Sequence, residues 1–193
     1  MGFNEANSVR DAIRDHLKSD WEYISRIDLN RIRQGTDVLI EKHLLEALIR
    51  LNPDIAEQPE RADEVIYKLR ATLLSVRSEG LVRANEQFAS WLHGDHSMPF
   101  GKDGEHVSIK LIDFEHPEKN RYVVTTEYQY TGNAPKRMDV VLLVNGIPLV
   151  IGECKTPVRS AETWADAALD IHADYEESVP ALFVPNLFSF GTE

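Results

Sequence analysis

Between Met138 and Lys155 the chain carries two almost wholly apolar stretches, joined by Asn145-Gly146, with charges only at their outer ends. Asn-Gly between apolar runs is the strongest short-range signal for a β-hairpin. Runs apolar at nearly every position imply strands buried on both faces. A hairpin here forces its two open ends together, so Asp139 on one strand comes beside Glu153 and Lys155 on the other. Charges in such surroundings are costly unless they are paired or bound to a metal.

Parity decides whether the three side chains meet. Side chains alternate along a strand, so Glu153 and Lys155 share a face and Cys154 points the other way. A strict two-residue turn pairs Val144 with Ile147 and sets Asp139 against Gly152, leaving Glu153 on the opposite face. A three-residue loop over Val144-Asn145-Gly146, with the glycine left-handed, pairs Leu143 with Ile147 and brings Asp139, Glu153 and Lys155 to one face. Asn-Gly suits the last two positions of that loop, so the expectation is a three-residue loop or an equivalent bulge.

The rest of the chain divides at about residue 104. Before it the apolar period is helical. Val9, Ile13 and Leu17 mark a first helix. Thr36-Asp37 cap a second that carries Val38, Leu39, Leu44, Leu45, Leu48, Ile49 and Leu51 and ends at Asn52-Pro53. Ala62, Val65, Ile66, Leu69, Leu73 and Leu74 lie on a third that Gly80 closes, and a fourth covers 82–92. Residues 93–104 read as a loop. Beyond it the period becomes two: Val107, Ile109 and Leu111 alternate with polar residues, and 122–130, 138–144 and 147–154 read as strands. A helix over 161–177 and a strand over 181–190 complete the order. The expected architecture is therefore α/β of the α+β type: a mixed sheet flanked by helices, made by residues 105–193, with residues 1–104 as an N-terminal helical layer packed on it. The abrupt apolar end at 183–193 is what a piece of a longer chain would show.

Composition narrows the function classes. No apolar run approaches the length of a membrane span, no secretory signal opens the chain, and the lone Cys154 fits a reducing cytoplasm. The formal net charge of −11 runs against free-standing nucleic-acid binding, which draws on basic patches. His93 and His96 flank Gly94-Asp95, but histidines in a glycine-rich loop are usually only solvated, and a zinc site is not expected. Trp91 and Trp164 are expected to pack rather than to stack on bases. Lys136 and Arg137 are equally open to phosphate contact and to plain solvation.

Two carboxylates and an ammonium fit one chemistry in particular. Hard oxygen ligands hold Mg²⁺ while leaving positions for water and substrate phosphate oxygens. The metal lowers the pKa of a bound water and neutralises phosphoryl charge. The lysine orients or deprotonates the attacking water, or offsets developing charge. Asp139, Glu153 and Lys155 alone are equally compatible with a structural salt bridge at a sheet end.

A wider set of segments weighs against that second reading: 44–53 (LLEALIRLNP), 107–114 (VSIKLIDF), 137–149 (RMDVVLLVNGIPL), 153–157 (ECKTP) and 179–186 (VPALFVPN). Through them nearly the whole chain resembles the N-terminal region of type I restriction endonuclease R subunits. The apolar strand with Asn-Gly-x-Pro-Leu ahead of Glu-x-Lys is the specific part. The resemblance implies a PD-(D/E)xK restriction-endonuclease-like core with Asp139 and Glu153 as metal ligands and Lys155 as the catalytic lysine. It implies Mg²⁺, with Mn²⁺ able to substitute, and double-stranded DNA as substrate. It also implies methyltransferase and specificity subunits as partners, and an ATP-driven DNA translocase elsewhere in the full-length chain. No Walker-type phosphate loop occurs in these residues.

Glu5 at the start of the first helix is a candidate further carboxylate, although a plain helix N-terminal charge explains it as well. The Gln-x-x-x-Tyr motif of many relatives is met here only by Tyr175: Ile171 stands where the glutamine would be, flanked by Asp170 and His172. Tyr175 and His172 are therefore accessory candidates. Met138 replaces the usual proline before the aspartate. Two other readings stay open. One is a catalytically silent domain that docks the motor onto the methyltransferase and specificity subunits. The other is a stand-alone repair or junction nuclease of the same fold.

Overall fold

The computed structural model describes residues 9–156 and 163–193. Its first half is largely helical: α1 (Val9–Leu17), a short strand β1 (Glu22–Ile24), α2 (Arg26–Ile32), α3 (Glu41–Leu51), α4 (Pro53–Glu57), α5 (Arg61–Glu79) and α6 (Leu81–Leu92). A small antiparallel pair, β2 (Ser97–Met98) and β3 (Val107–Ser108), leads into the long strands β4 (Tyr122–Thr131), β5 (Pro135–Val144) and β6 (Ile147–Cys154). Then α7 (Trp164–Leu169) runs through a π-helical segment (Asp170–Tyr175) into α8 (Glu176–Ser178). The described chain closes with α9 (Pro180–Phe183) and β7 (Phe188–Thr192). No helix among the described residues is long and apolar enough to cross a membrane.

The main sheet is mixed and flanked by helices, as expected, in the order β1-β4-β5-β6-β7. Its three central strands are antiparallel neighbours, while β1 lies parallel to β4 and β7 parallel to β6. One core unites the stripes of α3, α5 and α6 with Val123, Tyr128, Met138, Val141, Leu143 and Ile151 of the sheet. A smaller cluster of Val124, Val140 and Cys154 is covered by Val9, Ile13 and Leu17 of α1. Cys154 is thus buried in packing, as strand parity indicated.

Several expectations need correction. Residues 181–190 do not form one strand. Pro180 opens α9, where its fixed φ and missing N–H suit the first helical turn, and the strand begins only at Phe188. Residues 107–111 keep only two residues of ladder, in β3. Neither β1 nor α2 was foreseen, because a three-residue strand and a seven-residue helix carry too little periodicity. Trp91 is buried, but Trp164 is 58% exposed and is not a packing residue.

The hairpin turn differs from the favoured loop, and the difference is instructive. Val144 pairs directly with Ile147 around a two-residue turn, with Asn145 at φ +51° and Gly146 at φ +83°. Both values are those of the type I′ turn. The register then shifts between Leu142 and Leu143, which pair with Val150 and Pro148, so Leu149 is an extra residue on β6. Proline cannot donate to a ladder and is found at such irregularities. Val140 consequently pairs with Gly152, which sets Asp139 opposite Glu153. The bulge, rather than the turn, restores the parity.

The turn is embedded. Asn145 is fully buried, and its amide donates to Leu111 O and Asn120 Oδ1, both at 2.9 Å. Its Oδ1 accepts from Arg121 N–H at 2.8 Å and Arg50 Nη2 at 3.1 Å. Each donor and acceptor of the side chain is used. Gly146 O accepts from Ile40 N–H at 2.9 Å, and a Cβ at Gly146 would stand 2.4 Å from Ile40 O. Asn145→Gly would keep the left-handed backbone and remove only the side-chain network. The expected cost is roughly 2–4 kcal/mol of stability, because buried partners lose their bonds, and urea denaturation measures it.

Candidate active site

At the open end of the hairpin the three sequence-identified residues come together. Asp139 sits within β5 and Glu153 within β6, each almost completely buried. Asp139 Oδ2 accepts from the Cys154 backbone N–H at 2.9 Å, which ties the end of one strand to the other. Lys155 Nζ lies 3.3 Å from Glu153 Oε1. Gly152 makes room for this end of the sheet, since a Cβ there would collide with the Phe190 ring at 2.2 Å.

The helical segment after β6 supplies further groups. The Tyr175 hydroxyl donates to Glu153 Oε2 at 3.1 Å, and Lys155 Nζ donates to Asp170 Oδ2 at 2.5 Å. Tyr175, an accessory candidate in the sequence, is therefore in contact with the site. His172 is not: its ring is exposed and lies 3.0 Å from Glu176 Oε2. Ile171, at the position of the expected glutamine, is buried in the core. Glu5 lies outside the described residues.

Three groups here were not singled out from sequence. Asp170 was seen only as a neighbour of Ile171. Arg10 of α1 reaches in with Nη1 3.5 Å from Glu127 Oε1 and 3.7 Å from Asp139 Oδ1, while its buried Nε has no hydrogen-bond partner among the described residues. Glu127 of β4 has φ +56°, and around it the ladder skips a pair, joining Thr126 to Val140 and Tyr128 to Met138. Met138 and Val140, two residues apart, consequently belong to different core clusters. A charged residue in a β-branched, aromatic strand was the available signal for Glu127. Nothing in sequence spacing connects Arg10 to it.

The surrounding cations among the described residues are engaged. Lys136 Nζ binds both oxygens of Asp174 at 2.6 Å, and Arg137 Nη1 donates to Glu127 Oε1 at 3.2 Å. Far from the site, His96 bonds Ser90 at 2.7 Å and stacks on Trp91. Among the described residues no three His, Cys, Asp or Glu side chains are gathered to hold a metal by themselves. What the site offers is a pair of acids and an ammonium, with Tyr175 and Asp170 bonded to them.

Burial, followed by the charge of Asp139, pushes the Glu153 carboxyl up to about 7, against the opposing pull of Lys155 and Tyr175. Burial works against the Lys155 ammonium, but Asp170 and Glu153 outweigh it and raise its pKa. Burial and the neighbouring Glu153 raise the Tyr175 phenol.

Between the ordinary value of 4.5 and about 7, folded Glu153 keeps a proton that the unfolded chain releases. Its contribution to stability therefore falls as pH rises through this window. Glu153→Gln removes that slope, so the variant should gain stability relative to the parent at pH 8 over pH 5. Melting temperatures across the range test this, and a flat difference would contradict the assignment.

A family model for the N terminus of type I restriction enzyme R proteins matches residues 2–193. The chain is 29% identical over 191 residues to a putative type I restriction enzyme MjaIXP endonuclease subunit of Methanocaldococcus jannaschii, covering 93% of this chain and 18% of that protein. It is also 29% identical over 191 residues to the type I restriction enzyme HindI endonuclease subunit of Haemophilus influenzae, covering 93% and 17%. The EcoprrI endonuclease subunit of Escherichia coli matches at 28% over 167 residues, 78% of this chain and 51% of that sequence. The chain thus spans under a fifth of the length of the first two relatives.

Proposed function

The chain belongs to the family of type I restriction enzyme R protein N termini, and from that premise we propose that it is the endonuclease domain of such a subunit, with a PD-(D/E)xK core that hydrolyses DNA phosphodiester bonds with Mg²⁺. The observation that carries the reading is the convergence of Asp139, Glu153 and Lys155 at one end of the sheet from two strands and the segment beyond. In the domain division that accompanies it, residues 105–193 form most of the nuclease core and residues 1–104 pack upon it, with β1 adding an edge strand to its sheet.

The donor set fits the ion. Two hard carboxylates on a rigid hairpin, without a third protein ligand gathered beside them among the described residues, match the way Mg²⁺ keeps several waters and takes phosphate oxygens. Mn²⁺ accepts the same donors. When bound, the metal supplies charge neutralisation at the phosphoryl group and a water of lowered pKa. Asp139 and Glu153 hold it. Tyr175 fixes the Glu153 carboxylate by donating to Oε2. Lys155 presents an ammonium where negative charge develops on the phosphate. Its acidic neighbours favour that charged form, which suits charge stabilisation better than proton abstraction.

The whole-enzyme setting belongs to the same proposal. An ATP-driven translocase in the remainder of the chain delivers double-stranded DNA, and methyltransferase and specificity subunits choose the site, in the cytoplasm. That arrangement answers the net charge of −11, since the nuclease domain need not bind DNA strongly by itself. The same acidity favours a second reading, a silent docking domain.

Lys155→Ala and Asp139→Asn in the full-length subunit separate the two. The nuclease reading expects cleavage to fall at least about 100-fold while assembly and ATP hydrolysis persist. Unchanged cleavage with failed assembly would establish the docking role instead. Calorimetry with Mn²⁺ should show binding lost in Asp139→Asn. In the parent, more protons should be released at pH 6 than at pH 8, because the ion displaces the proton of Glu153.

A further inference from the structure

The helix that follows β6 changes its winding where it faces the site. Over Asp170–Tyr175 it is π-helical, and the Glu176 N–H donates to Ile171 O, five residues back. On a regular α-helix, positions five apart point roughly 140° away from each other. The wider π turn brings i and i+5 toward the same side, and such segments are frequent at functional sites. Here the two residues so aligned are Asp170 and Tyr175. Tyr175 reaches Glu153 Oε2 at 3.1 Å, and Asp170 reaches Lys155 Nζ at 2.5 Å.

A lysine ammonium has three donors on a flexible four-carbon stem. In this site one is directed to Asp170 Oδ2 and another to Glu153 Oε1, at 2.5 and 3.3 Å. Among the described residues that leaves one for a substrate oxygen. We propose that Asp170 is a positioning residue for the cleavage reaction, anchoring the Lys155 ammonium beside Glu153, and that the π turn is the device that brings it into reach. This inference rests on the nuclease reading above.

The exposure of the pair separates positioning from support of the fold. Asp170's side chain is 46% exposed and Lys155's is 13% exposed. An ion pair with one partner half in solvent contributes little to stability, so its loss should disturb the lysine without loosening the domain.

The test uses the full-length subunit assembled with its methyltransferase and specificity subunits, and linear DNA carrying the recognition sites. Lys155→Ala comes first. If that variant still cleaves, the nuclease reading itself has failed. If it is inactive, Asp170→Ala should lower kcat by about 10- to 100-fold, the usual range for outer partners of metal-site groups. KM for DNA should stay within about two-fold and the melting temperature close to the parent. Asp170→Glu should recover much of the rate. A parental kcat in Asp170→Ala would overturn the positioning role and leave the nuclease reading intact. A joint fall of kcat and melting temperature that Asp170→Glu does not relieve would assign Asp170 to the fold instead.

Discussion

The burial of the Asn145 amide holds the architecture of the site in register. A polar side chain with no exposure is tolerable only when its hydrogen bonds are complete, and here they reach the backbone at Leu111 and Arg121 and the side chains of Asn120 and Arg50. Ile40, just ahead of α3, closes on the neighbouring glycine. The turn cannot slide without breaking this set, so the register of β5 and β6 is fixed far from the chemistry. A one-residue slip would send Asp139 and Glu153 to opposite faces. The extra Leu149 then sets which parity the fixed register delivers.

At the other end of the same strands the constraint is electrostatic. Asp139 and Glu153 are both nearly excluded from solvent, and burial, followed by the charge of Asp139, raises the cost of ionising Glu153. The protein answers in two ways. Glu153 keeps its proton more firmly, and cations approach from two sides, Lys155 at Glu153 and Arg10 at Asp139. Arg10 is an incomplete answer. Its ion pairs lie at 3.5 to 3.9 Å, and its Nε has no hydrogen-bond partner among the described residues. Glu127, which shares Arg10 with Asp139, stands in a left-handed backbone conformation that costs a non-glycine residue about 1–2 kcal/mol. Strain of this kind gathers at functional sites, and its position beside Asp139 agrees with the proposed chemistry.

The parts of the molecule visible in the sequence were those governed by short-range rules. The hairpin followed from Asn145-Gly146 between apolar runs, and α3, α5 and α6 from their stripes. Asp139, Glu153 and Lys155 were found because the hairpin itself brings them together. Other features depended on tertiary contacts. β1 is three residues whose role comes from lying along β4. The apolar run from Ala181 resembled a strand because helix and strand cannot be told apart over so short a stretch, and Pro180 tipped its start to helix. Asp170 escaped notice because residues five apart are not neighbours on an α-helix, and only the π turn makes them so. Arg10 was hidden for a simpler reason: 129 positions separate it from Asp139 along the chain.

The proposed chemistry and the acidity of the chain fit together once catalysis is separated from affinity. The basic side chains nearest the carboxylates are already committed: Lys136 to Asp174, Arg137 to Glu127, Lys155 to Glu153 and Asp170, and Arg10 to Glu127 and Asp139. Among the described residues few cations remain here to attract a polyanion over a distance, so on the nuclease reading they give the domain little affinity for DNA. A divalent ion held by Asp139 and Glu153 would change the balance, because it would offset their two negative charges and take phosphate oxygens as further ligands. On the nuclease reading, cutting therefore requires both the ion and DNA already brought to the surface by another part of the enzyme. On that same reading a domain reluctant toward free DNA would be less prone to cut at random, and its acidic composition would be part of that restraint.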